Sequence, residues 1–179
     1  MHDLSSASTT TLRACEERDL EAVLEIYAHH VREGLASFEI EVPSLEEMRR
    51  RRHELVERGF PYIVAERHGR LAGYAYAGPY RPRPAYRFTV ETSVYVRSGL
   101  ERQGLGRLLL GALLADCERW GARQAVAVIG DSANRASIDL HTRLGFRKVG
   151  TLAAVGFKLG RWVDVVLMQR ALGTPRADP

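Results

Sequence analysis

The 179-residue chain has almost no lysine: Lys148 and Lys158 are the only two among 26 basic residues, and all the others are arginine. Arginine suits planar contacts to carboxylate or phosphate, although the base composition of a genome explains the same bias equally well. Cysteine is as scarce. Cys15 and Cys117 lie far apart with no metal-ligand spacing, which excludes a disulfide framework or a zinc knuckle and predicts two buried thiols, no metal, and a reducing cytoplasm. No run of about eighteen apolar residues occurs, so no membrane span is expected. Met1 to Thr11 lacks the basic start and apolar run of an export signal. Long basic blocks are also missing. The net charge is +4 and the pI about 9.3, but 22 acidic residues are spread throughout, and a nucleic-acid partner is not expected.

What is present is ordinary globular composition, 45% hydrophobic and 27% charged. The length suits one domain, expected over residues 11–172 between loose ends at 1–10 and 173–179. Leu20, Val23, Leu24, Tyr27, Ala28 and Val31 recur at helical offsets, with Asp19 as the expected cap. Ser44-Leu-Glu-Glu47 has capping-box spacing ahead of a mostly solvated helix whose sparse stripe is Leu45, Met48, Leu55 and Val56. Tyr62 to Glu66 and Leu71 to Ala77 read as a hairpin around His68-Gly69. Pro79, Pro82 and Pro84 then force a loop.

Phe88 to Val96 alternates strictly, with Phe88, Val90, Thr92, Val94 and Val96 on one face and Thr89, Glu91, Ser93 and Tyr95 on the other. A helix over Gly106 to Trp120, closed by Gly121, a buried strand over Gln124 to Ile129 and a helix over Asn134 to Leu144 follow. A last hairpin pairs Val149–Phe157 with Trp162–Arg170. The order β-α-α-β-β-β-α-β-α-β-β implies an α/β fold with a mixed, mostly antiparallel sheet and helices on both faces.

The turn Arg102-Gln-Gly-Leu-Gly-Arg107 joins a central strand to a long helix. Amides at a helix N-terminus lack intrahelical partners and sit at the positive end of the dipole, so they favour an anion, and Gly104 and Gly106 permit its close approach. Glycines at such a junction are by themselves turn chemistry. The lysine and hydroxyl residue of a nucleotide P-loop and the spacing of a dinucleotide-binding turn are both missing.

In combination, Val94-Tyr-Val96, that turn, and Asn134-Arg-Ala-Ser-Ile-Asp-Leu-His-Thr-Arg-Leu-Gly-Phe146 resemble the GNAT acetyltransferase superfamily over roughly residues 11 to 170. The resemblance implies that Arg102, Gln103, Gly104, Leu105, Gly106 and Arg107 wrap the diphosphate of acetyl-coenzyme A. It also implies that Val94, Tyr95 and Val96 bind its pantetheine arm, with Asn134 and Ser137 contacting it from the later helix. One position departs from the family pattern: Glu101 stands where the turn usually begins with Gln or Arg, and a carboxylate facing inward would repel phosphate.

Ala36-Ser-Phe-Glu39, Gly73-Tyr-Ala-Tyr-Ala-Gly-Pro79, Tyr86-Arg-Phe-Thr-Val-Glu-Thr-Ser-Val-Tyr-Val96, Val126-Ala-Val-Ile-Gly130 and Val155-Gly-Phe-Lys-Leu-Gly-Arg-Trp-Val-Asp164 resemble the phosphinothricin and methionine sulfoximine N-acetyltransferase subgroup. That implies a homodimer acting on a small-molecule amine. Acetyl transfer needs a base and N–H donors for an oxyanion. Glu91 is the expected base, directly or through one water. His141, on the face shared with Asn134 and Ser137, is expected either to move a proton or to hydrogen-bond the cosubstrate. Phe38, Glu39, Arg81, Arg83, Tyr86 and Lys158 are the expected substrate contacts, with Arg81 and Arg83 clamping a carboxylate. Acetylation of a protein or peptide amine and non-catalytic acyl-coenzyme A sensing are the rival readings.

Overall fold

Two separate apolar clusters, one on each face of a single seven-stranded sheet, organise the molecule; the computed structural model describes residues 10–173. The expected loose ends lie outside the described residues except for Thr10 and Gly173, and Thr10 already begins the first strand. The elements are β1 (Thr10–Ala14), α1 (Leu20–Glu33), α2 (Leu45–Glu57), β2 (Tyr62–Arg67), β3 (Arg70–Pro79), β4 (Thr89–Val96), α3 (Leu105–Trp120), β5 (Gln124–Gly130), α4 (Arg135–Arg143), β6 (Arg147–Lys158) and β7 (Arg161–Ala171). The sheet order is β1-β2-β3-β4-β5-β7-β6, and every neighbouring pair is antiparallel except β4 and β5.

Alternation along the strands divides the two clusters. Ile63, Ala65, Ala75, Ala77 and Val90 face α3, whose Leu105, Leu109, Leu110, Leu113 and Leu114 are buried. Each such leucine contributes about 1.5–3 kcal/mol by leaving water. Tyr62, Val64 and Tyr74 face the other way, under α1 and α2. The small alanines on the α3 side let that helix lie close, while the other side is filled by stacked tyrosine rings, Tyr74 standing 5.1 Å from Tyr95.

Local chemistry sets the boundaries. Left-handed His68 (φ 52) and Gly69 (φ 73) make the β2–β3 turn, and Gly121 (φ 102) ends α3 with its N–H on Cys117 O. Three expectations are corrected. Asp19 stands at the N-cap position of α1 but its side chain makes no cap bond: Arg13 holds its carboxylate at 2.6 and 2.8 Å, and Glu16 N donates to it, so it closes the 3-10 turn before the helix. Phe88 precedes β4 and lies exposed beneath the Arg87 guanidinium, because the strand begins at Thr89. Val56 is exposed, since α2 needs only Met48 and the partly buried Leu45 and Leu55 to dock. Ser44 does cap α2, accepting from Glu47 N, but the Glu47 carboxylate turns to Arg50 and Arg51 instead of closing the box.

The segment between α1 and α2 crosses the sheet over two glycines. A Cβ at Gly130 would stand 2.1 Å from Leu35 O, and one at Gly156 would stand 2.2 Å from the Phe38 ring. Gly130→Ala should therefore lower stability by about 1–3 kcal/mol, the usual cost of overpacking. Urea unfolding measures this; an unchanged midpoint would show that the crossing segment yields freely.

Candidate active site

β4 and β5 pair only at Thr89–Gln124, Val90–Ala125 and Glu91–Val126, and beyond Glu91 each strand follows its other neighbour, β4 staying with β3 and β5 with β7. A wedge-shaped gap opens there. Arg97 N donates to Ala72 O, so odd-numbered residues of β4 turn their main chain toward β3. The N–H and C=O groups of Thr92, Val94 and Val96 consequently face the gap. Tyr95 gives its main chain to β3 and its ring to the tyrosine stack. Two side chains brace the gap's walls: the Thr92 hydroxyl donates to Val126 O at 3.4 Å, and His30 Nε2 lies 3.0 Å from Val96 O. Because a carbonyl can only accept, that bond places the His30 proton on Nε2, and burial pushes the ring's pKa down.

The turn into α3 stands at the wide end of the gap. Arg102 (φ 62) and Gly104 (φ 83) adopt left-handed backbone, and the first intrahelical bond runs from Leu108 N to Gly104 O. The amides of Leu105, Gly106 and Arg107 therefore project from the helix end without intrahelical acceptors. Glu101 folds back to accept from Gly99 N at 2.8 Å, which ties one of its carboxylate oxygens to the loop's own backbone. Arg67 Nη1 donates to Gln103 Oε1 at 2.6 Å, while Arg102 and Arg107 are exposed. A Cβ at Gly106 would meet Leu140 Cδ2 at 3.2 Å, a tight contact, so α4 lies against the start of α3.

On α4, Asn134 Oδ1 accepts from Ser137 N at 3.2 Å, making Asn134 the helix cap. His141 is buried, 2.8 Å from Ser137 O through Nδ1, and packs edge-on to Phe146. The proton thus sits on Nδ1, the lone pair is on Nε2, and burial lowers the ring's pKa.

Glu91 shares its face of β4 with Ser93 and Tyr95, on the α1–α2 side. Its part-buried carboxyl is pushed above the ordinary glutamate range by desolvation, opposed by the Arg81 charge. Arg81 stacks over Tyr80, whose ring meets Tyr86 edge-on at 5.7 Å. Arg83 is exposed and begins the short 3-10 turn Pro84–Tyr86. Phe38 reaches the same side over Gly130 and Gly156, and Glu39 is held by Arg51 Nη1 at 2.5 Å.

Lys158 departs from the expected substrate contact. It is buried, and its ammonium donates to Ser37 O at 2.6 Å, so it anchors the segment carrying Phe38 and Glu39; desolvation lowers its pKa, with Glu39 opposing. Two cavities flank these residues. One of about 260 Å³ lies between α1, α2 and β3, among Tyr27, Tyr62, Tyr74 and Tyr76, and no residue of β4, α3 or α4 lines it. The other, about 220 Å³, opens beside the paired end of β4 and β5. Its floor residues Gln124 and Gln169 were not singled out by the sequence; a polar residue opening an apolar strand run was the only signal.

Residues 12–167 match the family model for an acetyltransferase (GNAT) domain. The chain belongs to the GNAT acetyltransferase family. This GNAT acetyltransferase is 54% identical to a phosphinothricin N-acetyltransferase of Alcaligenes faecalis over 90% of its own length and 82% of the relative's. It is 37% identical to an L-methionine sulfoximine/L-methionine sulfone acetyltransferase of Salmonella typhimurium, over 90% and 94%. The GNAT phosphinothricin acetyltransferase of Sinorhizobium meliloti, solved with AcCoA, superposes with a TM-score of 0.89 at 44% identity, covering 92% and 89%. A ribosomal-protein-alanine N-acetyltransferase of Brucella melitensis superposes with 0.88 at 40% identity, covering 90% and 99%.

Proposed function

We propose that the protein moves the acetyl group of acetyl-coenzyme A to the α-amine of a small amino acid analogue of the phosphinothricin or methionine sulfoximine type, by direct attack and without an acyl-enzyme. One arrangement carries this reading: a β4 edge with its main-chain groups facing a gap, α3 amides at its wide end, and a desolvated carboxyl at its closed end. The amides of Gly104 to Arg107, with Arg102 and Arg107, suit a diphosphate. Asn134 and Ser137 flank it from α4. N–H groups of Val94 and Val96 suit the pantetheine arm and the thioester oxygen.

Glu91 takes the proton of the substrate ammonium, and the freed amine attacks the thioester carbonyl to form the C–N bond. Collapse of the tetrahedral adduct breaks the C–S bond, the coenzyme A thiolate leaving with its electron pair as the nitrogen gives up its second proton. With its proton on Nδ1, His141 enters the proton traffic as an acceptor. Arg81 and Arg83 hold the substrate carboxylate, Glu39 lies near its ammonium, and Phe38 and Tyr86 form apolar walls. Arg83→Ala should raise KM for carboxylate-bearing amines about tenfold, the low end for a charged hydrogen bond at an exposed position. An equal change for amines lacking a carboxylate would remove the clamp.

Homodimerisation is supported by the edge hairpin β6–β7, which exposes Leu152, Val155, Phe157 and Trp162. Among the described residues no helix is long and apolar enough to cross a membrane, and two free buried cysteines agree with a cytoplasmic setting. Acetylation of a polypeptide amine is the second reading, favoured by the Brucella melitensis likeness. Thiol release by purified protein and acetyl-coenzyme A decides among them. Release dependent on free amino acid analogues supports the proposal, release only with peptides supports the second reading, and none with any amine supports a sensor.

A further inference from the structure

Asp164 lies on β7 between two irregular pieces of chain. On one side β6 bulges: Leu152 pairs with Val165 and Gly156 with Val163, so Ala153, Ala154 and Val155 stand opposite Asp164 alone. Ala154 holds left-handed backbone there (φ 51), and its N–H donates to Asp164 Oδ1 at 2.9 Å. On the other side β5 ends at Gly130, and the loop 131–134 leads into α4. Asp131 N donates to Asp164 O at 2.9 Å, and the Ser132 hydroxyl donates to Asp164 Oδ2 at 2.7 Å. Both carboxylate oxygens are thus engaged, and these bonds hold the group's pKa below the usual aspartate range.

Bonds within the loop carry that anchorage to Asn134. Asp131 has left-handed backbone (φ 70), and its O accepts from Asn134 N at 2.9 Å. Its carboxylate takes Ala133 N at 3.0 Å and Arg161 Nη2 at 2.8 Å. The cap of α4 is therefore set from β7, through Asp131 and Ser132, and not by α4 alone.

We infer that Asp164 is a positioning residue: by holding Ser132 it fixes the loop that places Asn134 and the first turn of α4 beside the cosubstrate. The inference rests on the acetyl-transfer reading, in which Asn134 and Ser137 flank the diphosphate, and deepens it. Among the described residues, the side-chain bonds of Asp164 and Ser132 reach none of Glu91, Arg81 and Arg83, so the amine side of the site is untouched by them. Without Asp164 a smaller fraction of molecules holds Asn134 in place, and affinity for the cosubstrate falls by the same factor.

Titration calorimetry with acetyl-coenzyme A, and kinetics in which each substrate is varied in turn, test this. Asp164→Ala should raise Kd and KM for acetyl-coenzyme A about tenfold, the low end for a hydrogen bond to a charged group, and leave KM for the amine within about twofold. Asp164→Asn should restore most of the affinity, because its amide oxygen accepts from Ala154 N while its NH₂ donates to Ser132 Oγ. Ser132→Ala removes the loop's bond and spares the bulge, so it decides the matter where Asp164→Ala does not fold; its Kd should rise about fivefold. Ser132→Ala protein that binds acetyl-coenzyme A as tightly as wild type, or an equal rise in KM for the amine, overturns the inference and leaves acetyl transfer intact. Wild-type protein that neither binds acetyl-coenzyme A nor turns over any amine overturns the acetyl-transfer reading together with it.

Discussion

Glu91→Gln is expected to slow turnover by about 10²- to 10⁴-fold, the usual worth of a positioned general base, while acetyl-coenzyme A binds nearly as before. The residue stands at the closed end of the gap, away from the α3 amides, so its charge matters to the amine more than to the diphosphate. Desolvation raises its carboxyl above the ordinary range, with Arg81 moderating the effect. A raised pKa keeps the base protonated to a higher pH than an exposed glutamate, so kcat/KM should climb with pH through that value, and the limb should vanish in the variant. The sign for stability follows from the same shift. Because the folded-state pKa exceeds the unfolded one, folding is favoured with Glu91 protonated, and stability is lost as pH rises through the folded value. Near neutrality the variant should thus unfold no earlier than wild type. Turnover unchanged by the substitution would take Glu91 out of the chemistry.

Gly104→Val should weaken acetyl-coenzyme A binding by roughly 10- to 100-fold, corresponding to strain of about 1–3 kcal/mol for a non-glycine residue in an unfavourable backbone region. Gly104 holds φ 83 at the N-cap of α3, a conformation closed to a β-branched residue. No heavy atom lies within 4 Å of the position its Cβ would take, so the core should not be disturbed. The penalty falls on the turn that presents the amides of Leu105, Gly106 and Arg107. Titration calorimetry measures it, and a retained affinity would show that the diphosphate does not use this turn.

Local signals exposed most of this architecture in the sequence. The period of two read from Phe88 to Val96 marked a strand with two different faces, one residue too long at its start, and glycines at 69 and 121 marked turns that require left-handed backbone. The strand that carries Glu91 and the turn into α3 were legible because each lies within one continuous run. Contacts made across the sheet were not. Lys158 reaches Ser37, 121 residues away, and no local pattern distinguishes a buried anchor from a substrate contact. Gln124 and Gln169 become a pair only through the β5–β7 register. Asp19 looked like a cap because it precedes an amphipathic run, but Arg13 on β1 captures its carboxylate. Glu101 drew attention by its charge, and only the loop geometry shows that one of its oxygens accepts from Gly99 N–H.

The structure of the protein bound to acetyl-coenzyme A tests the placement of both ends of the site at once. The diphosphate should rest on the amides of Leu105, Gly106 and Arg107, with the pantetheine along Val94 and Val96 and the thioester beside Glu91. A diphosphate seated elsewhere, or a thioester remote from Glu91, would contradict the mechanism.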